Sequence, residues 1–323
     1  MTKDLPSSTA DPQALDRKVA EWLQNEGYPT EYRTANIFRK NHFWVMQGGY
    51  VESIASQEKE AKRELDVVAS MTAYGEDDGL FIRVSHIVEC KWSKSKPWVV
   101  FTSPETHLAP SACVTQTIGS LFGESIVWAM AGETALYDLG LFATPALGGF
   151  GGRQALSAGQ DHFYSALKGV VENSYGHVAK VDRPHRQLCE LPRYAEVVFP
   201  LVVVEGRLFE ASFDESINDM RLQETDHVRC HWKGSVSAIA HATVDIVTLE
   251  GLNAFVQKRA QETAAFLDLM RPIAKQIAAC AESKSIKDLT IKSASRGVIG
   301  LPRFLREIHT ASKPTPAPTG EQA

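Results

Sequence analysis

The chain is poor in cysteine, with five in 323 residues, at positions 90, 113, 189, 230 and 280. The number is odd and the spacing wide, which argues against a disulfide framework and for a reducing compartment. Long apolar runs are also missing. The longest, around Ile126 to Ala131, falls far short of the roughly 20 residues that cross a bilayer. Residues 1–12 carry no apolar stretch of the kind a signal peptide needs, so the expected setting is cytoplasmic, with no membrane partner. An excess of positive charge is absent too. The chain has 34 Lys and Arg against 39 Asp and Glu, a net charge of −5. That excludes holding a polyanion by bulk charge and requires any nucleic-acid contact to be local. What remains is ordinary globular composition, 44% hydrophobic and 23% charged, in a chain long enough to bury a core without staples.

Leu15, Val19, Trp22 and Leu23 recur at helical spacing and stop at Gly27, which predicts an amphipathic first helix. Phe43 to Val51 reads as a strand interrupted by a bulge at Gly48-Gly49. Glu64 to Ser70 and Leu80 to Glu89 read as a hairpin around the turn Gly75 to Gly79, and Trp98 to Thr102 as a third strand. Residues 105–135 read as mostly helical, and Gly148 to Gly152 as a flexible loop. Further on, Glu196 to Phe213 predicts a hairpin turning at Glu205-Gly206. Val228 to Trp232 and Thr243 to Leu249 predict strands, and the apolar spacing from Leu252 to Met270 a helix ending near Pro272. The pattern is one α/β domain with an elaborated second half, and Gly148 to Gly152 marks the boundary if there are two. The division expected is a disordered start at 1–12, a core at 13–147, an α/β extension at 153–283 continuing or packed on it, a basic segment at 284–312 and a disordered Pro/Thr-rich tail at 313–323.

The chemistry concentrates between Glu64 and Phe101. Asp66 sits on the first arm of the hairpin, and Glu89-Cys90-Lys91 ends the second. Side chains alternate along a strand, so Glu89 and Lys91 share a face and Cys90 points away. Charges placed beside Val, Ile and Phe need compensation. A divalent cation supplies it, and hard carboxylate oxygens favour Mg²⁺ or Mn²⁺ over zinc. The Cys90 backbone carbonyl is a third candidate ligand.

The Asp66, then Glu89-x-Lys91, pattern after an amphipathic helix resembles the PD-(D/E)XK nuclease superfamily and its restriction-endonuclease-like fold, over roughly residues 12–120. Leu65 stands where the superfamily's proline would be, and the segment from Leu15 to Tyr28 looks like the opening helix of Mrr-like restriction enzymes. The resemblance implies a mixed central sheet flanked by helices. It implies Mg²⁺- or Mn²⁺-dependent hydrolysis of phosphodiester bonds, a DNA endonuclease of a restriction or defence type. Asp66 and Glu89 would be metal ligands, Asp16 an accessory one, and Lys91 would position water or stabilise the transition state. It also implies a homodimer or a place among the subunits of a defence complex.

Other features give the competing readings. Glu64 shares the face of Asp66, and the run QEKEAKRE reads as a solvated charged face. Arg83, Lys94 and Lys96 add positive charge near the site, and Trp92 is placed to stack on a base. Between Lys284 and His309, six Lys or Arg stand against two acidic residues, a candidate DNA-contacting segment or a solvated helix. His185 with Cys189, and His227 with Cys230, are two pairs that together number the four ligands of a zinc site, in a spacing that is not that of a ribbon or finger. The rival to an enzyme is a non-catalytic nuclease-fold module that binds or assembles within a larger nucleic-acid-processing or defence complex.

Overall fold

The structure, a computed structural model, describes residues 12–52, 62–93, 96–104, 109–157, 162–188, 193–233, 241–287, 289 and 302–311. The helices are α1 (Pro12–Asn25), α2 (Tyr28–Lys40), α3 (Pro110–Thr115), α4 (Leu121–Ala129), α5 (Thr134–Tyr137), α6 (His162–Leu188), α7 (Leu252–Glu282) and α8 (Arg303–Ala311). The strands are β1 (Trp44–Glu52), β2 (Lys62–Tyr74), β3 (Phe81–Trp92), β4 (Trp98–Ser103), β5 (Ile118–Gly119), β6 (Gly148–Gln154), β7 (Tyr194–Glu205), β8 (Leu208–Asp214), β9 (Asp219–Glu224), β10 (His227–Lys233) and β11 (His241–Thr248). None of the described helices is long and apolar enough to cross a membrane.

All the strands join one mixed sheet in the order β1-β2-β3-β7-β11-β10-β6-β4-β8-β9, with β5 pairing to β7. The β2–β3 hairpin is antiparallel, as its turn requires, whereas β3 lies parallel to β7. β7 is nearly all apolar and buried along its length, as a strand covered on both faces should be. One face carries α2, α4, α7 and α8, and the other carries α6. Val84 and Val88 pack toward the first group, and Ile87 packs under α6 with Val170 and Val171.

Three sequence expectations change here. Gly148 to Gly152 is not a loop but part of β6, held between β10 and β4. At Gly149 and Gly152 neighbours fill the space a side chain would take: a Cβ on Gly152 would stand 2.5 Å from the Phe163 ring. Glu196 to Phe213 is not a hairpin either. β7 pairs with β3 and β11, while β8 pairs with β4 and β9. The two segments running parallel as β3 and β7 run on, past Gly206, as the parallel pair β4 and β8, so the sheet curls back on itself. Finally, α7 continues through Pro272 to Glu282, because Met270, Ala274, Ile277 and Ala281 carry a buried stripe beyond the proline.

Of the basic 284–312 segment, α8 packs against the body through Leu305 and Ile308, both buried with α4. Lys292 and Arg296 lie outside the described residues, as does all of 312–323. The apolar stripe of α1 forms but is largely exposed, with Trp22 51% exposed.

Candidate active site

Asp66 and Glu89 sit where β2 and β3 part. The antiparallel ladder runs from Tyr74↔Phe81 to Val67↔Val88 and ends there. Asp66 and Glu89 are the next residues on each strand, just past the last pair. β3 continues along β7 to Trp92↔Glu205, and β2 continues along β1 to Lys62↔Glu52. The fork leaves the Cys90 N–H without a partner in β2, and the Asp66 carboxylate accepts it instead, at 2.7 Å. This fixes one carboxylate oxygen.

Lys91 follows two residues after Glu89 on the same face, and its ammonium donates to Glu89 Oε1 at 2.6 Å. Cys90 points to the opposite face, where its thiol lies 3.7 Å from Thr34 Oγ1 of α2. Across the sheet, Gly169 of α6 leaves room for Glu89, since a Cβ there would stand 3.7 Å from both carboxylate oxygens.

A third carboxylate acts on Asp66 through its charge, and the sequence reading missed it. Glu31, in the first turn of α2, is one of the negative charges that act on Asp66. Burial, together with the charges of Glu89 and Glu31, pushes the Asp66 carboxyl up to about 7, against the opposing pull of the Cys90 amide and Lys91. Glu31 is itself raised by burial and by Glu64 and Glu89. Burial would depress the Lys91 ammonium, but Glu89 and Asp66 outweigh it and hold Lys91 above its ordinary value. The cluster is therefore short of positive charge at Asp66 and saturated at Lys91.

The donor chemistry suits a hard divalent cation, because the charges of Glu89 and Glu31 both act on Asp66, which resists ionising. As they stand, no three His, Cys, Asp or Glu side chains among the described residues are gathered closely enough to hold an ion. Lys91 occupies the Glu89 oxygen that would have to turn.

The remaining sequence candidates separate. Asp16 stands exposed on α1, a helix that packs on α2, and the carboxylate brought to Asp66 is Glu31 instead. Trp92 ends β3 and is 38% exposed, beside Gly27. Lys96 is half-buried, with its carbonyl accepting the Ser93 hydroxyl. Lys94 lies outside the described residues. Arg83 is not near the fork. It is on β3 six residues before Glu89 and is tied to buried Glu196 at 2.6 and 2.9 Å. Glu196 also accepts from Ser85 at 2.6 Å and Tyr194 at 2.8 Å, and meets His177 at 2.8 Å. Burial works against that charge, but His177 and Arg83 outweigh it and hold the carboxyl down at about 2. With every oxygen occupied, Glu196 is a structural ion.

The zinc reading fails on strand geometry. His227 and Cys230 are three apart on β10, so they point to opposite faces. His227 Nε2 meets Asp245 at 2.8 Å, and Cys230 is buried against Gly149. Cys189 lies outside the described residues.

No family model, curated protein or solved structure matches this chain.

Proposed function

We propose that this chain is a Mg²⁺- or Mn²⁺-dependent nuclease of restriction-endonuclease-like fold that hydrolyses phosphodiester bonds, with DNA as its substrate. The observation that carries the reading is the strand fork itself. Asp66 stands just past the part of β2 paired with β3, Glu89 and Lys91 follow that pairing on β3, the charge of Glu31 on α2 reaches Asp66, and Asp66 is pushed up to about 7 by its burial and its acidic neighbours. Such a concentration of unfavourable charge is a mark of function more often than of structure.

Asp66, Glu89 and Glu31 would hold the cation. When bound, the cation supplies a water of lowered pKa and neutralises charge on the phosphorus. The Cys90 amide holds the Asp66 carboxylate in one orientation. Lys91 stays an ammonium, because Glu89 and Asp66 favour its charge, so it stabilises the phosphoryl charge and does not abstract a proton. A restriction or defence role, in a homodimer or a larger complex, is the setting this chemistry serves.

Calorimetric titration with MnCl₂ and cleavage of plasmid DNA test the reading together. The wild type should bind Mn²⁺ and cut. Asp66→Asn and Glu89→Gln should do neither. Lys91→Ala should keep Mn²⁺ binding and lose about 10²–10³ in rate, the scale of removing one transition-state donor. A wild type that binds no Mn²⁺ and cuts neither DNA nor RNA overturns the proposal in favour of a non-catalytic binding module.

A further inference from the structure

Away from the fork, an aromatic cavity of about 860 Å³ lies between β6, β10 and the first turns of α6. That is within the range of ~300–1,000 Å³ that small-molecule sites occupy. Phe150, Phe163, Tyr164 and Trp232 line it, with Arg153 and Lys233 at its polar wall. Trp232 and Tyr164 lie with ring centroids 5.3 Å apart, and Tyr164 is 50% exposed. In a chain of net charge −5, the described lining holds two full cations and no carboxylate. Flat apolar walls with a positive wall suit an unstacked base carried on a phosphate backbone.

The cavity and the fork share α6, with β10 three strands from β3 in the sheet, about 14 Å at ~4.8 Å per strand. Tyr164 and Leu167 of α6 line it, and Gly169 of the same helix faces the Glu89 carboxylate. Five residues separate Tyr164 from Gly169, about 7.5 Å along a helix axis at 1.5 Å per residue. One nucleic-acid strand can lie along both. We infer that this cavity receives an unpaired nucleobase of the strand whose phosphate lies at the fork, stacked on Trp232 and Tyr164. The inference rests on the nuclease reading and narrows its substrate to single-stranded or locally unpaired nucleic acid. Glycines at 151 and 152 let the backbone of β6 form the cavity wall without filling it.

The test is a fluorescence titration of the full chain, in EDTA, with a short single-stranded DNA carrying one 2-aminopurine, whose emission falls on stacking. The wild type should quench the probe. Trp232→Ala should weaken binding at least about fivefold, the lower end of what one stacked base contributes. Trp232 is partly packed against the core, so half-exposed Tyr164→Ala is the second variant and should weaken binding in the same direction. Lys233→Glu should weaken binding and flatten its salt dependence. Quenching that persists unchanged in both aromatic variants overturns the inference. So does equal affinity for the same sequence as a duplex. Glu89→Gln separates the two readings. If neither wild type nor Glu89→Gln cuts DNA while both quench the probe, the base pocket stands and the nuclease reading falls.

Discussion

The Cys90 amide donates to the Asp66 carboxylate at 2.7 Å, so the backbone of one strand holds the acid of the other at the point where their ladder ends. This contact stabilises the ionised form, yet the carboxyl stands at about 7, because burial and Glu89 outweigh it. The consequence for stability follows from linkage. An acid whose folded value lies above its unfolded one binds more protons in the native state over the window between the two. Stability contributed by protonated Asp66 is therefore lost as pH rises from about 4 to about 7. Asp66→Asn keeps an oxygen for the Cys90 amide and removes the charge. It should stabilise the fold at pH 8 by on the order of 2–4 kcal/mol, seen as a higher melting temperature, and change little at pH 4. Millimolar MnCl₂ should stabilise the wild type at pH 8 and leave Asp66→Asn unmoved. Equal melting curves at both pH values would show that Asp66 is not strained.

Glu31 and Asp16 make opposite predictions. Glu31 acts on Asp66 from the first turn of α2, whereas Asp16 is exposed on α1. Glu31→Gln should weaken Mn²⁺ binding tenfold or more, the scale of disturbing a group in a metal's immediate surroundings. Asp16→Asn should leave it within error. Calorimetry on the two variants decides, and the reverse order would return the accessory role to α1.

Glu196 should behave as the opposite of Asp66. Its carboxyl is fully buried and held at about 2 by His177 and Arg83. Its stabilisation is present above about pH 4.5 and lost as pH falls toward 2. Glu196→Gln leaves Arg83 and His177 facing a neutral amide and should cost about 3–5 kcal/mol at pH 7. Denaturant unfolding at pH 7 and pH 3 measures it. The variant's deficit should shrink at the lower pH, and a constant deficit would mean lost packing and not lost charge.

The strands of the fork were legible in the sequence because alternation, turn residues and misplaced charge all agree between Glu64 and Phe101. Gly48 does take a left-handed conformation, with φ 65°, where the bulge was expected. The helix that completes the fork was not legible. The buried stripe of α2 is Thr30, Thr34, Ala35 and Phe38, helical in spacing but half threonine, so it carries little apolar periodicity. Pro29 in its first turn and Glu31 just after it were the signals available. The false hairpin at Glu205-Gly206 arose because a two-residue turn between apolar runs does not say whether the runs pair with each other. Here a parallel partner continues beside each of them, and pairing over that distance leaves no local mark.

Gly149, Gly151 and Gly152 of β6 should respond differently to the same added methyl group. At Gly149 a Cβ would stand 2.6 Å from Cys230 Sγ and 3.2 Å from the Arg229 carbonyl. At Gly152 it would stand 2.5 Å from the Phe163 ring and 2.7 Å from the Val99 carbonyl. Both positions meet backbone that is fixed by strand pairing, so the neighbours cannot simply rotate away. Gly149→Ala and Gly152→Ala should each destabilise by about 1–3 kcal/mol, the usual range for overpacking. At Gly151 nothing lies within 4 Å, and its backbone is not in the left-handed region. Gly151→Ala should therefore be neutral or stabilise by up to about 1 kcal/mol, by restricting the unfolded chain. Denaturant unfolding of the three variants gives the order. If Gly151→Ala is as damaging as the other two, this stretch is not the strand paired with β4 and β10.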